Sequence, residues 1–410
     1  MAAIHLDMTI HQVLTTYPFL IDVFKQNGLR KFENPDTLSA LGPFLRLKTA
    51  LNTVSINPTL FMEALNARVA EHERDGTADA PLDVAGQRDL TVLALLPCGM
   101  KMPFNRAFDA FIERYNASSE VKIRYLVEGN VNHEVSYYAY IDGVTSLQEL
   151  PDIIISSDIN SFYHEKFKGA FLQKSLFEDH TASPMNPALT SAELADPSGD
   201  FTMLSANLLV LVAVESLMNE RAVPTSWGDL LDKSFTNGVV MRGNESFFCN
   251  GVLLPFYKMF GMAGIETLGR SVSTGVHPSQ MVKMIDSRDP SVPPLYIMPY
   301  FFAKKIKRQD RVRIIVPTEG AIVSPVQMLV KKTASKDAQK VAEFLSGPKM
   351  GQICADAYFP STHPSVRNAT SDIPLYWLGW PFLNHTDIGA LKGNIAAVFR
   401  AAFASSGGVL

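Results

Sequence analysis

The chain has 410 residues with 37 Lys and Arg against 41 Asp and Glu, a net charge of −4, and 47% apolar against 19% charged residues. At about 100–200 residues per domain this length suggests a multidomain protein, and the composition excludes a disordered chain and gives no sign of a nucleic-acid binder. Three cysteines, Cys98, Cys249 and Cys354, exclude a disulfide scaffold and fit a reducing compartment.

The first 72 residues read as small helices. Thr9 and Gln12 form a capping box, with Ile10, Val13 and Leu14 on one apolar face. Pro18 suits a second helical start, and Gly28 supplies a left-handed stop. Asn57-Pro58-Thr59 opens a further helix. Residues 73–89 are polar and acidic and read as a linker. From residue 90 onward, strand-like and helix-like runs alternate. Strands are predicted at Val92–Leu96, Lys122–Val127, Ile153–Ser156, Leu208–Val214, Gly238–Met241, Leu295–Met298, Val312–Val316 and Gln327–Val330. Amphipathic stretches such as Phe104–Tyr115, Val252–Phe260 and Ala334–Leu345 lie between them. This alternation predicts an α/β body with a mostly parallel sheet, preceded by a small all-α domain.

The longest uninterrupted apolar run, Leu208 to Val214, is seven residues, whereas a spanning helix needs about 20, so no membrane insertion is expected. The opening residues show neither a basic nor an apolar leader region. The expectation is therefore a cytoplasmic protein, periplasmic if the natural start lies upstream.

Several motifs carry a resemblance. Val223-Pro224-Thr225-Ser226-Trp227-Gly228-Asp229-Leu230-Leu231 and Glu319-Gly320-Ala321-Ile322-Val323-Ser324-Pro325 occur in order, followed by Phe344-Leu345, Gly351-Gln352 and Phe359-Pro360-Ser361. Together they resemble type II solute-binding proteins of ABC transporters, closest in flavour to the ferric-ion-binding branch. The head, through Asp7-Met8-Thr9-Ile10, Tyr17-Pro18, Val23-Phe24 and Gly28-Leu29, resembles the N-terminal domain of ScdA-type iron–sulfur repair proteins. Arg30, Lys31 and Phe32 stand where those domains carry cysteines, so docking or dimerisation is expected of the head rather than redox chemistry.

The resemblance implies a two-lobed, periplasmic-binding-protein-like type II fold that holds its ligand between lobes. The expected division is 1–72 head, 73–89 linker, 90–207 first lobe, 208–318 second lobe, and 319–410 return to the first lobe with C-terminal helices. Ligand-contacting loops are expected at strand ends beside helix starts, where free N–H groups favour anions. They are Cys98, Gly99 and Lys101; Ser156 and Ser157; Asn244, Glu245 and Ser246; Ser279 and Gln280, with His277 before them; and Tyr296 and Tyr300. Ferric-binding relatives place adjacent tyrosines near the last position, and this chain offers Tyr300 followed by Phe301. Tyr296 shares a face with Tyr300 if the strand is regular. Tyr300 and His277 are thus the metal candidates.

The expected function is clamping of a small polar or anionic ligand, a metal ion or a metal complex, as an intracellular carrier or sensor. A protein partner is expected through the head. Two rivals remain open: an enzyme on the same fold using Cys98 as thiolate beside Lys101, and an interaction module with a vestigial cleft. No G-x-S-x-G elbow, P-loop or Rossmann glycine pattern supports catalysis.

Overall fold

The computed structural model describes residues 4–54, 56–74, 90–129, 137–244, 247–287 and 289–409. Most of the expected linker, and Glu245 and Ser246, lie outside them.

The head comprises α1 (Ile10–Thr16), α2 (Ile21–Gln26), α3 (Pro35–Leu41), α4 (Leu47–Thr53) and α5 (Pro58–Arg74). The Thr9–Gln12 capping box is present in both directions. Gly28 adopts φ +84°, as a stop after α2 requires. The Asn57 side chain accepts from the amides of Thr59 and Leu60 and starts α5. Phe24 and Phe61 meet edge-to-face at 5.3 Å and tie α2 to α5 within a core of Val13, Leu20, Leu51 and Leu65.

The body runs β1 (Leu90–Leu96), α6 (Cys98–Ser118), β2 (Ile123–Gly129), α7 (Tyr138–Ile141), β3 (Ile153–Ser157), α8 (Glu165–Ala170), α9 (Pro187–Thr190) and β4 (Phe201–Val214). It continues with β5 (Val239–Met241), α10 (Asn250–Ser271), β6 (Val272–Gly275), α11 (Pro278–Asp286), β7 (Leu295–Pro299), α12 (Tyr300–Ala303), β8 (Val312–Ile315) and β9 (Ala321–Val330). Last come α13 (Lys336–Ser346), α14 (Pro348–Asp356), β10 (Leu375–Tyr376), α15 (Trp380–His385) and α16 (Ile388–Ser405).

The strands join in the order β2-β1-β3-β9-β4-β7-β5-β6, with β10 on β9 and β8 on β4. β1 pairs in parallel with β2 and β3, and β5 with β6 and β7, so each lobe carries a small parallel sheet. Between them run β4 and β9, antiparallel from Phe201 opposite Leu329 to Leu209 opposite Ile322. At one end β9 pairs with β3, and at the other β4 pairs with β7 and β8, so both strands pass through both lobes. Residues along β1 alternate between two cores. Val92, Ala94 and Leu96 face α6, α13 and α14, and Leu93 and Leu95 face the other side. Residues 319–410 divide between the lobes: α14 packs with α6, whereas α16 lies along α10.

The head rests on the body through α4 and α7. Arg46 Nε donates to the Gln148 carbonyl at 2.8 Å. The Thr49 hydroxyl donates to the buried Glu149 carboxylate, with Lys48 3.7 Å from it. Lys31, one of the residues at the cysteine position, lies 4.2 Å from the Tyr140 ring centroid.

Candidate functional site

Two facts about local chemistry build the site. Parallel strands direct their carboxyl ends toward one edge of each lobe, and β3 ends there in a dense knot of hydrogen bonds. The Tyr138 hydroxyl accepts from the Ser157 amide at 3.1 Å and donates to the Ser157 carbonyl at 3.3 Å. Asn160 Nδ2 donates to the carbonyls of Ser157 and Asp158, each at 3.2 Å. Buried Gln327 donates to the Ser156 hydroxyl and the Asp158 carbonyl, each at 3.1 Å. The Asp158 amide donates to the Pro325 carbonyl of β9 at 2.9 Å. These bonds hold Asp158 at φ +66°, a conformation that a non-glycine residue adopts only when its surroundings over-determine it.

Asp158 then crosses to the second lobe. A methyl placed on Gly251, in the first turn of α10, would stand 2.8 Å from Asp158 Oδ1, so only glycine admits the carboxylate there. The N-cap residue of α10, Cys249, makes no side-chain capping bond, and a carboxylate from the opposite lobe suits that positive helix end. A second contact between lobes is apolar: Phe301 of α12 lies over Gly99 of α6, where a methyl would sit 2.4 Å from its ring. Between these contacts only about 30 Å³ remains, beside Pro97, Asn207 and Ser324. Next to it opens a pocket of about 200 Å³, lined by Tyr138, Ser157, Asp158, Asn160 and Ser161 on one side and Arg242, Phe247, Cys249, Asn250 and Lys392 on the other.

Burial keeps the phenol and the thiol here neutral: it pushes Tyr138 up, and Cys249 up to about 11. Burial also lowers Lys392, against the pull of Asp158 and Asp142. A larger open groove, about 670 Å³, lies between 191–197 and 375–382, where Lys258 bonds the Leu378 carbonyl. It lies beside β10 and α15, and we place the site in the smaller pocket because polar groups from both lobes converge there.

Of the expected contacts, Ser157 lines the pocket, its hydroxyl donating to the Leu95 carbonyl at 3.2 Å. Ser156 points to Gln327 in the interior. Cys98, Gly99 and Lys101 open α6 but line neither cavity, because Phe301 covers that turn. Burial raises Cys98 despite Arg242 and Lys101, which is the wrong direction for an activated thiolate. Asn244 closes its own loop by accepting from the Phe247 amide. Ser279 and Gln280 lie in the first turn of α11, which His277 caps by accepting from the Ser279 amide at 3.2 Å. Tyr296 is buried inside β7, opposite Val212 and Val240. Tyr300 does not share its face, because β7 stops at Pro299 and Tyr300 begins α12, edge-on to Tyr358. Among the described residues no group of three or more His, Cys, Asp or Glu is placed to hold a metal ion, and no helix is long and apolar enough to cross a membrane.

The sequence pattern of the bacterial extracellular solute-binding proteins matches residues 148–386, more than half of the chain. This chain belongs to that family. Residues 4–62 match a domain of unknown function, DUF1858. No curated protein matches the chain in sequence. Among solved structures it is similar to the periplasmic binding protein AfuA from Actinobacillus pleuropneumoniae with fructose-6-phosphate bound, at TM-score 0.54 and 12% identity over 77% of this chain and 98% of that one. It is similar to the Bordetella ferric binding protein, at 0.52 and 13% over 77% and 98%. It is also similar to the Trichodesmium protein (IdiA, FutA) in complex with iron and citrate, at 0.51 and 13% over 77% and 99%. At these identities the likeness shows the fold, that of ABC-transporter solute-binding proteins.

Within this family member, the two motifs that carried the resemblance meet each other. Trp227 is fully buried, its indole N–H donates to the Gly320 carbonyl at 2.9 Å, and its amide donates to the Glu319 carboxylate at 3.1 Å. Asp229 accepts from the amides of Thr225 and Ser226 and folds the turn back. They therefore fasten the approach to β5 onto the start of β9 and line neither of the two cavities between the lobes. Asp158 belongs to the strand-end loop Ser156-Ser157-Asp158 expected from the sequence, whereas Tyr138, Asn160, Arg242, Cys249, Asn250 and Lys392 were not among the expected contacts. Arg242 adjoins the loop at 243–246 already singled out at a strand end. Lys392, on a C-terminal helix, has no local signal.

Proposed function

We propose that this chain is a solute-binding protein that closes its two lobes on a small polar or anionic solute in the pocket between Tyr138, Asp158, Asn160, Arg242 and Lys392, acting as its carrier or sensor. The observation that carries the reading is the convergence of polar side chains from both lobes on one pocket of about 200 Å³ at the strand ends of this fold. The cations Arg242 and Lys392 outnumber the one described carboxylate, Asp158, which favours an anion. The ligands named for the structural neighbours, fructose-6-phosphate and iron with citrate, are of the same chemical kind. A metal reaching this pocket arrives as a complex with a small polyanion, because the one phenol among the described lining residues is held in a hydrogen-bond knot with its proton retained.

The test is native mass spectrometry with elemental analysis on protein purified without chelator, followed by titration with inorganic phosphate, citrate and ferric citrate. At least one of these three binds, and Lys392→Met and Arg242→Gln each weaken it at least tenfold, the scale of a lost charged hydrogen bond. Ser279→Ala leaves it within twofold. Binding that both charge-removing variants leave unchanged, or no binding by all three probes together with a clean apo mass, overturns the reading.

A further inference from the structure

The wall of the pocket contains an ammonium that joins the lobes. Lys392 is on α16, which is bound to the second lobe along α10: the Phe248 ring packs tilted against Phe399 and edge-on to Phe403, and Gly269 lies under the Phe399 carbonyl. Its Nζ reaches the other way, to residues just past β3 of the first lobe. It lies 3.4 Å from the Ile159 carbonyl and 3.2 Å from His164 Nε2. The His164 ring lies 3.4 Å from where a side chain on Gly389 would begin, so the first turn of α16 is held against it.

An ammonium only donates, so His164 Nε2 accepts, which fixes the tautomer with the proton on Nδ1. That proton is donated to the Asp142 carboxylate at 3.0 Å. The chain Asp142–His164–Lys392 is complete only while the imidazole is neutral. A proton on Nε2 removes the acceptor and sets two positive charges face to face.

We propose that Lys392 and His164 form a proton-controlled tie between the lobes, closed while His164 is neutral and released when His164 takes a proton. The groups around it bear this out. Burial first, and then Lys392, lower the His164 value, against the opposing pull of Asp142 and Asp387. Asp158 and Asp142 attract Lys392, and its burial opposes its charge. On α8, Glu165 and Lys168 pair with each other, and Lys168 points to the carbonyls of Leu383, Asn384 and Thr386. An open form returns His164 toward the ordinary value of about 6.5. The closed form therefore holds fewer protons. It is favoured above that value and lost as pH falls through it, down to the lowered value of the closed form.

The inference rests on the hinge in the solute-binding reading and is tested without solute. Small-angle scattering on the ligand-free protein is compared at pH 7.5 and 5.5, with far-UV circular dichroism to confirm retained structure. The wild type is expected to expand on acidification with an unchanged dichroism spectrum. His164→Gln keeps an acceptor for Lys392 but does not titrate, and it stays compact at both pH values. In Lys392→Met the His164 titration, followed by NMR, moves up toward the ordinary value. A wild type of constant dimensions, or a His164→Gln variant that expands as the wild type does, overturns the tie. Ferric citrate binding on the same samples separates the two ideas: binding that depends on Lys392 without acid expansion keeps the solute reading and removes the tie.

Discussion

Two buried charges sit near opposite ends of β3, and the protein treats them differently. Glu149, 1% exposed, accepts from the Thr49 hydroxyl of the head, from the hydroxyls of Thr145 and Ser146 and from both of their amides, with Lys48 nearby. Burial pushes its carboxyl up, but the hydroxyls of Thr49, Thr145 and Ser146 outweigh this and bring it below the usual range. Among the described residues Lys392 has two acceptors, at 3.2 and 3.4 Å, one of which can be protonated, and its value is lowered. A buried charge with its partners in excess is a staple. One with too few becomes sensitive to its surroundings.

The largest expected effect tests the staple. Glu149→Ala leaves a cluster of donors unsatisfied and lowers stability by about 3–5 kcal/mol in urea unfolding. Proteases should also cleave within the head sooner. A loss below about 1 kcal/mol breaks the comparison. Thr49→Val removes one of several donors at constant shape and costs about 1–2 kcal/mol, read the same way. Lys392→Met replaces an under-partnered charge with an apolar chain of similar length. It changes stability at pH 7.5 by less than about 1 kcal/mol, or raises it, in thermal melts. A large loss there would mean that Lys392 is a staple as well.

The layout of the fold is largely written in local sequence, and the site is not. Every strand predicted from apolar runs is present; those buried on both faces leave that mark most plainly, Ile153–Ile155 among the parallel strands and Leu208–Val214 among the antiparallel ones. β4 begins at Phe201 rather than Leu208, because Thr202, Ser205 and Asn207 break the apolar pattern although the first two are fully buried. β6, Val-Ser-Thr-Gly, is too short and polar to read as a strand. The strand-end rule found the region of Ser157 but not which neighbours face the pocket. That depends on Asp158 taking a left-handed turn and on Phe301 covering Gly99, both consequences of distant packing. Tyr138 reads like its neighbours Tyr137 and Tyr140, which pack beneath the head. Only the register of a four-residue helix separates their roles.

β3 has five residues and spans about 17 Å. Leading into it is the carboxylate that takes the head's threonine, and directly after it come the residues that floor the pocket. The strand is a short rigid ruler with a mark at each end. The head is therefore held at a set distance and bearing from the floor of the pocket, without its threonine touching the pocket at all.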